Sequence, residues 1–191
     1  PTGGGLIFIF TSIATFLSLG FYLPLLSVPV AFIGFIDDLK NGVKPLLRFL
    51  IQIISGSIII IFSNPLWKTI SNIDNKFYLL LIFLFLLIMA SAIINFVNFM
   101  DGIDGLVAGC MIIYFATISF SCNINFLPFV AAILGFLIFN WFPSKIFMGD
   151  TGSTFIGSMY VISIFNSSSL NDAVAQILIC SPIFFDTIFC V

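Results

Sequence analysis

The chain has 191 residues, of which 61% are hydrophobic and 7% are charged, and 26 of them are phenylalanine. A soluble domain carries roughly a quarter charged residues, so the composition predicts an integral membrane protein; as a soluble domain, such a chain would expose large apolar patches and aggregate. The net charge of −2 and the lack of a basic cluster argue against a nucleic-acid partner.

Eight apolar runs are predicted to form membrane helices. Most approach the length needed to cross a bilayer, and the first two form a tightly turned hairpin about residues 20–24. In chain order the runs cover residues 6–19, 25–36, 46–62, 77–94, 107–120, 126–142, 154–165 and 173–185. We therefore expect one transmembrane catalytic domain over residues 1–191, folded as an all-α polytopic bundle.

Alternate connections between these runs fall on the same side of the membrane. By parity, the connections at 37–45, 95–105 and 143–153 share one face with Asp186, and six of the eight aspartates lie there. Four of the six basic residues lie on the same face, which makes it cytoplasmic by the positive-inside rule. We expect an active site at this cytoplasmic surface.

The residue types that are missing restrict the chemistry. The chain contains no histidine and no glutamate, so aspartate is the main residue left for acid–base work or metal binding. Such oxygen ligands suit magnesium or manganese better than zinc or copper. The four cysteines show no paired spacing, and neither a zinc site nor a disulfide framework is predicted.

Two adjacent carboxylates, Asp37 and Asp38, end the second run. One interpretation is a solvated turn at the membrane edge, since Lys40 and Lys44 follow. Adjacent carboxylates at a lipid boundary repel each other, however, unless something cationic compensates them. A metal, or a metal-bound phosphate substrate, would supply that compensation, and this favours a functional site.

Four polar residues recur every three positions after the fourth run, at Asn95, Asn98, Asp101 and Asp104. A continuing helix would place them on one polar stripe, whereas the two Asp-Gly pairs favour a turn. Helix caps and turn formers would explain part of the pattern. Two amides and two carboxylates exceed what a cap requires, and we expect these side chains to converge.

The segment 148–154 predicts the start of a helix, with Asp150, Thr151 or Ser153 as its cap. Capping alone would explain this segment, but its position on the aspartate-rich face favours a ligand. A helix N-terminus suits a phosphate, and Asp150 would hold the metal that neutralises it. Lys145 would approach the same phosphate, or else extend to the membrane interface.

These segments resemble the polyprenyl-phosphate N-acetylhexosamine-1-phosphate transferases of glycosyltransferase family 4. The similarity rests on residues 34–38, 95–106 and 139–153, whose order and spacing fit, and it spans the chain. The family includes the enzymes that initiate O-antigen synthesis and the phospho-MurNAc-pentapeptide translocases. The amino-acid sequence of the second and third segments is more similar to the O-antigen-initiating branch.

The resemblance implies transfer of a sugar 1-phosphate from a UDP-N-acetylhexosamine to undecaprenyl phosphate, with release of UMP. The expected sugar is N-acetylglucosamine or a deoxy relative. By the family's pattern Asp150 holds Mg²⁺, or alternatively Mn²⁺, and Asp37 deprotonates or orients the lipid phosphate. The implied catalytic set also contains Asp38, Asp101 and Asp104. The implied substrate-binding set is Asn95, Asn98, Lys145 and Gly152.

The resemblance also implies a multi-pass enzyme of the bacterial cytoplasmic membrane, which initiates an O-antigen-like cell-envelope polysaccharide. A homodimer is compatible with it. Family members carry a further N-terminal helix and a histidine-rich loop after their ninth helix, and the chain contains neither. We therefore expect a chain truncated at both ends, which binds metal poorly and has little activity alone.

Two alternatives to a transferase follow from the same residues. A transporter would also carry carboxylates among its membrane helices, although its binding site tends towards the bilayer midplane. An inert structural fragment would not depend on Asp150 for any activity. The position of the acids at the ends of the apolar runs favours the transferase.

Overall fold

The computed structural model describes residues 3–40, 42–63, 68, 70–121 and 126–181. Within this part of the chain there are eight α-helices and two short 3-10 turns, Leu23–Ser27 and Met100–Gly102. The helices are α1 Gly4–Ser18, α2 Val28–Lys40, α3 Pro45–Phe62, α4 Lys76–Phe99, α5 Leu106–Ser121, α6 Leu127–Asn140, α7 Gly149–Phe165 and α8 Leu170–Ile179. The all-α prediction is confirmed, and each predicted run overlaps one helix; residues 182–185 of the eighth run lie outside the described residues.

Helix α7 is the centre of the bundle. It packs against α1, α2 and α4, and every residue from Thr151 to Phe165 is buried. A helix that is enclosed on all sides needs small side chains where its neighbours come close, and α7 contains several glycines, serines and threonines. Because α7 is buried along its length, its first turn lies among the ends of the surrounding helices.

The outer helices present apolar side chains outward. Phe10 on α1, Phe85 on α4 and Ile138 on α6 are 69%, 65% and 75% exposed. Two segments, Pro45–Phe62 and Lys76–Gly102, are long and apolar enough by length and composition to cross a membrane, and α1, α5, α6 and α8 are shorter apolar helices. An exterior of this kind fits hydrocarbon better than water, which supports the predicted membrane location.

Three helix boundaries at the aspartate-rich ends differ from prediction. Helix α2 continues past residue 36 to Lys40, α4 continues past residue 94 to Phe99, and α7 begins at Gly149 rather than at residue 154. Asp37 and Asp38 therefore lie on a helix. The apolar runs stop where polar residues begin, whereas in the structure these polar residues have partners on neighbouring helices. Boundaries elsewhere differ too: α2 begins at Val28 rather than at residue 25, and α8 begins at Leu170 rather than at residue 173.

Candidate functional site

Arg48, in the first turns of α3, joins two of the predicted site residues. Its Nη1 lies 2.6 Å from Asp37 Oδ2 and 2.8 Å from Asp150 Oδ2, so one guanidinium bridges α2 and α7. The side chains of Arg48, Asp37 and Asp150 are only 21%, 12% and 31% exposed. Ion pairs with this degree of burial are screened far less than pairs on an open surface. In the sequence, Arg48 stands out only as one of the four basic residues on the predicted cytoplasmic face.

Asn98 completes this cluster from α4. In the amide orientation that satisfies its neighbours, Oδ1 accepts a hydrogen bond from Arg48 Nη2 at 3.0 Å, and Nδ2 donates to Asp150 Oδ1 at 3.3 Å. The amide also contacts the Ser153 hydroxyl, which donates to the carbonyl of Gly149 at 3.0 Å. Asn98 therefore links α3, α4 and α7 at the point where the carboxylates meet.

Asp37 and Asp150 lie beyond the apolar runs predicted to cross the membrane, and their two carboxyl groups share one guanidinium. A hydrogen bond from the Asp150 side chain lowers the pKa of Asp37, and the backbone N–H of Val43 also donates to this carboxylate. Burial raises the pKa of Asp150, and its hydrogen bond with Asp37 raises it further. A hydrogen bond between two carboxyl groups requires a proton on one of them, so the pair then carries a single negative charge, which Arg48 balances.

Asp101 adds a third carboxylate to this region. It lies on the turn Met100–Gly102, close enough to Asp150 and Asp38 for their charges to repel its own. Across the residues that the structure describes, its carboxylate has no hydrogen-bond or ion-pair partner. An acid without a partner beside two others indicates that this end of the bundle suits a cation.

Asp38 contacts the N-terminus of α7. Its Oδ1 accepts a hydrogen bond from the backbone N–H of Asp150 at 2.9 Å, and its Oδ2 accepts from the backbone N–H and the hydroxyl of Thr151, at 3.0 and 2.6 Å. The local N-cap residue, Met148, makes no side-chain capping bond. The prediction that Asp150, Thr151 or Ser153 caps this helix was wrong, because all three lie inside its first turns and the cap comes from α2.

Asp104 makes the same type of contact with a different segment. Its Oδ1 accepts from the Ser144 hydroxyl at 2.7 Å and its Oδ2 from the Ser144 backbone N–H at 3.0 Å. Asn140 lies beside it, accepting from the Gly105 N–H at 3.1 Å and donating to the Ile146 carbonyl at 2.9 Å. These bonds tie the turn at Asp104 to the connection that carries the exposed Lys145.

Asn95 belongs to a polar network between α3 and α4. It exchanges two hydrogen bonds of 3.1 Å with Gln52, and the Ser91 hydroxyl donates to Gln52 Oε1 at 2.6 Å. Gln52 is only 2% exposed. Gln52 is not among the predicted site residues, although a signal existed: it follows Arg48 by four positions, which places both on one face of the helix.

A cavity of about 390 Å³ opens beside this network, and its size is within the range of ligand pockets. Arg48 and Gln52 supply its polar side, and Phe49 is among its apolar residues. The full lining is Val43, Pro45, Arg48, Phe49, Gln52 and Asn95. An apolar opening with a guanidinium in its wall suits a ligand that combines a hydrocarbon chain with a phosphate.

Gly152 is buried in the contact between α1 and α7. A Cβ built on it would lie 3.0 Å from the Cα of Gly5 and 2.8 Å from the Cβ of Met148. The structure therefore gives this glycine a packing role, and its location argues against direct contact with a substrate. Asp186 lies outside the described residues.

The predicted metal site is not formed by a ready set of ligands. Among the described residues, no three acidic or thiol side chains converge closely enough to hold a metal ion by themselves. Metal binding at this site therefore stays a prediction. Asp37, Asp38, Asn98 and Asp150 do come together with Arg48, whereas Asp104 and Asn95 bond to other partners.

The sequence matches the glycosyl transferase family 4 profile over residues 19–168. It is 32% identical, over its whole length and 59% of the relative, to a probable undecaprenyl-phosphate N-acetylglucosaminyl 1-phosphate transferase from Bacillus subtilis (strain 168). Phospho-N-acetylmuramoyl-pentapeptide-transferases from Lacticaseibacillus paracasei and Clostridium beijerinckii are 32% and 34% identical over 85% and 83% of the chain, and 60% and 57% of each relative. The chain thus spans about three fifths of the length of these relatives.

Proposed function

The chain belongs to glycosyl transferase family 4, and from this membership we propose that it acts in the transfer of an N-acetylhexosamine 1-phosphate from a UDP-sugar to undecaprenyl phosphate. The observation that carries the proposal is the cluster in which Arg48 bridges Asp37 and Asp150 beside Asn98. The Bacillus subtilis relative is named for undecaprenyl phosphate and N-acetylglucosaminyl 1-phosphate. The family is the one that the sequence motifs predicted.

The proposed reaction moves one phosphorus atom. An oxygen of the lipid phosphate attacks the phosphorus attached to the sugar, and the bond from that phosphorus to the bridging pyrophosphate oxygen breaks. The electron pair of the broken bond leaves with UMP, and the lipid gains a pyrophosphate-linked sugar. Since the attacking phosphate is already an anion, the protein mainly has to align two anionic reactants and neutralise their charge.

Arg48 and Asp37 suit the acceptor side of this reaction. A guanidinium can bind two phosphate oxygens at once, and Arg48 lines the cavity that also contains Phe49. Asp37 is held next to Arg48 and is fixed by the Val43 N–H. We assign to Asp37 the orientation or deprotonation of the lipid phosphate, as the family pattern implies.

Asp150 and Asn98 fit one side of a Mg²⁺ or Mn²⁺ site. The Asn98 amide atom that faces Asp150 lies 3.3 Å from its Oδ1, and which amide atom points there depends on the neighbours. Turned the other way, Asn98 would present an oxygen beside the carboxylate, and the partnerless Asp101 lies near. When bound, the metal would neutralise the pyrophosphate and the departing UMP.

The location of the cluster favours a transferase over a transporter. Asp37 is near the end of α2, Arg48 is near the start of α3 and Asp150 is in the first turn of α7. All three therefore lie at the ends of helices, whereas transporter sites lie near the bilayer midplane. Lys40, Lys44 and Lys145 are close to this end in the sequence, and we place it at the cytoplasmic surface of a bacterial membrane.

The proposed sugar is N-acetylglucosamine or a deoxy relative, and the proposed role is initiation of an O-antigen-like polysaccharide. This finer assignment rests on the wording of residues 95–106 and 139–153. The relatives from the two branches are similarly identical to the chain, at 32% to 34%. These identities therefore do not distinguish between the possible sugar substrates.

The test is UMP release by membranes that contain the protein, supplied with UDP-N-acetylglucosamine and Mg²⁺, with and without undecaprenyl phosphate. We expect release only when the lipid is present, loss of release with EDTA, and recovery with Mg²⁺ or Mn²⁺. Asp150→Asn should reduce release at least a hundredfold, since it removes the charge assigned to the metal. Release that ignores both the lipid and Asp150 would refute the proposal.

A further inference from the structure

We propose that Asp38 is a positioning residue, which acts on the reaction by fixing the first turn of α7 and hence the carboxylate of Asp150. This replaces the direct catalytic role that the sequence predicts for Asp38, and it rests on the function proposed above. The adjacent Asp37 would face the reacting groups. The two neighbouring acids would thus have different tasks.

The contacts of Asp38 account for both of its oxygens. Three donors occupy them: the backbone N–H groups of Asp150 and Thr151 and the Thr151 hydroxyl, at 2.6 to 3.0 Å. The first N–H groups of a helix have no partner within it, and leaving them unsatisfied in a partly buried site is unfavourable. A carboxylate at that end also interacts well with the helix dipole. A metal or a proton at Asp38 would compete with these bonds for the carboxylate oxygens.

Helix geometry separates the two acids. Consecutive residues on an α-helix point about 100° apart, so the two carboxyl groups have different surroundings. Asp37 contacts Arg48 on α3 and the side chain of Asp150, whereas Asp38 contacts the backbone at the start of α7. Only Asp38 therefore bonds to the backbone of the first turn of α7.

Two glycines allow α2 to approach α7 this closely. Gly149 has a φ of 69°, and a Cβ on it would lie 2.6 Å from Asp38 Oδ2. A Cβ on Gly34 would lie 2.5 Å from the backbone oxygen of Asp150. Both helices are thus shaped around this contact. Because one of the bonds ends on the backbone nitrogen of Asp150 itself, a shift of Asp38 moves the residue assigned to the metal.

Thr151 provides the test, because it bonds to Asp38 and has no assigned chemistry of its own. Thr151→Val removes the hydroxyl with little change of shape, and Thr151→Ser keeps it. Ser158→Ala is the matched control, since it removes a buried hydroxyl of α7 that bonds only to its own helix, at Phe155. These variants and Asp38→Asn are compared in membranes for kcat, for KM of the UDP-sugar and for the half-saturating Mg²⁺ concentration.

A positioning role predicts a specific pattern. Thr151→Val should lower kcat about tenfold and raise the half-saturating Mg²⁺ concentration, with KM for the UDP-sugar changed less than about threefold. Thr151→Ser should restore kcat to within about threefold, and Ser158→Ala should change little. The double variant Asp38→Asn with Thr151→Val should have a kcat no lower than that of Asp38→Asn alone, since both substitutions disturb the same contact between Asp38 and Thr151.

The opposite results would overturn the proposal. If Thr151→Val matched the unaltered protein while Asp38→Asn was inactive, or if the two losses multiplied, Asp38 would act directly. If the unaltered protein released no UMP, the proposed function would fail and Asp38 would lose its catalytic meaning. Amide hydrogen exchange at Asp150 and Thr151 would then still test whether Asp38 holds the first turn of α7. Faster exchange in Asp38→Asn supports this contact, and unchanged exchange refutes it.

Discussion

Asp101 is the residue whose surroundings most directly indicate a cation site. It lies near two other carboxylates and, among the described residues, has no partner for its own. Such an arrangement opposes folding, because like charges in a partly buried site repel each other. A residue that costs stability in this way is expected where a bound cation offsets the repulsion.

Asp101→Asn should therefore raise the melting temperature of the metal-free protein in detergent while it lowers UMP release at least tenfold. The substitution removes the repulsion but also removes charge that would hold the metal. Asp104→Asn is the control, since the Asp104 carboxylate bonds to Ser144 and its loss should lower the melting temperature. A lower melting temperature for Asp101→Asn would contradict this interpretation.

Arg48 is the second residue on which the site depends. Arg48→Gln should reduce UMP release by about a hundredfold or more, because Asp37 and Asp150 would lose the cation between them. Arg48→Lys should retain part of the activity, since an ammonium keeps the charge but not the two-nitrogen geometry that reaches Asn98. Lys76→Gln, an equal change of charge at an exposed position on α4, should have no effect. Full activity of Arg48→Gln would refute the assignment.

Sequence reasoning identified the residue types of the site but not its contacts. The aspartates and Asn98 could be predicted because carboxylates and amides are conspicuous in apolar sequence. The task of Asp38 could not be predicted, since its partner Thr151 is 113 positions away and nothing local specifies the pairing. Arg48 was missed for the same reason: its role exists only once α2, α3 and α7 are packed.

At the scale of the elements, α3 and α4 are joined by polar side chains inside an apolar contact. Gln52 bonds to Asn95 and Ser91; Gln52 and Ser91 are buried, whereas Asn95 is exposed. Hydrogen bonds of this kind hold helices together where apolar packing alone gives little specificity. The network lies next to the cavity beside Arg48, so it also fixes one wall of the proposed lipid-phosphate site.

Gln52→Leu should destabilise the protein by about 1–3 kcal/mol, because it removes the buried amide that accepts from the Ser91 hydroxyl and exchanges hydrogen bonds with Asn95. The expected measurement is a lower melting temperature in detergent, together with reduced UMP release. Ser57→Ala on the same helix is the control, since that hydroxyl bonds only to the Ile53 carbonyl of α3. Equal melting temperatures for Gln52→Leu and Ser57→Ala would show that the network does not stabilise the fold.

Element boundaries were predictable in the apolar stretches and failed at the polar ends. The start of α3 was expected at residue 46 and lies at Pro45, but α7 begins five residues earlier than expected. The difference arises because hydropathy assigns a charged residue to a loop, although a partner on another helix can hold it in a helical turn. Three of the displaced boundaries therefore lie at the residues that build the site.

In the whole molecule, the site lies at one end of a buried helix, and the surrounding helices have an apolar exterior. Helix α7 is enclosed from Thr151 to Phe165, and its first turn carries Asp150. The surrounding helices expose residues such as Phe85 and Ile138. In the proposed reaction, this arrangement would let the acceptor, which has a hydrocarbon chain, approach from the membrane and the water-soluble nucleotide sugar approach from the surface.

Labelling of single cysteines would test this orientation. In a variant without the native cysteines, Lys145→Cys should react with a membrane-impermeant maleimide only from the cytoplasmic side. Lys76→Cys should react only from the opposite side, because Lys76 begins α4 and the site lies at the other end of that helix. Both positions are exposed. Labelling of both from the same side would contradict the proposed topology.

Isotope labelling directly measures which phosphorus atom is transferred to the lipid in the proposed reaction. Membranes that contain the protein would receive undecaprenyl phosphate, Mg²⁺ and UDP-N-acetylglucosamine labelled with ³²P either at the phosphorus next to the sugar or at the one next to uridine. We expect the first label to enter the lipid fraction and the second to remain in water as UMP. The uridine-side label in the lipid fraction, or no lipid label from any UDP-N-acetylhexosamine, would refute the proposed reaction.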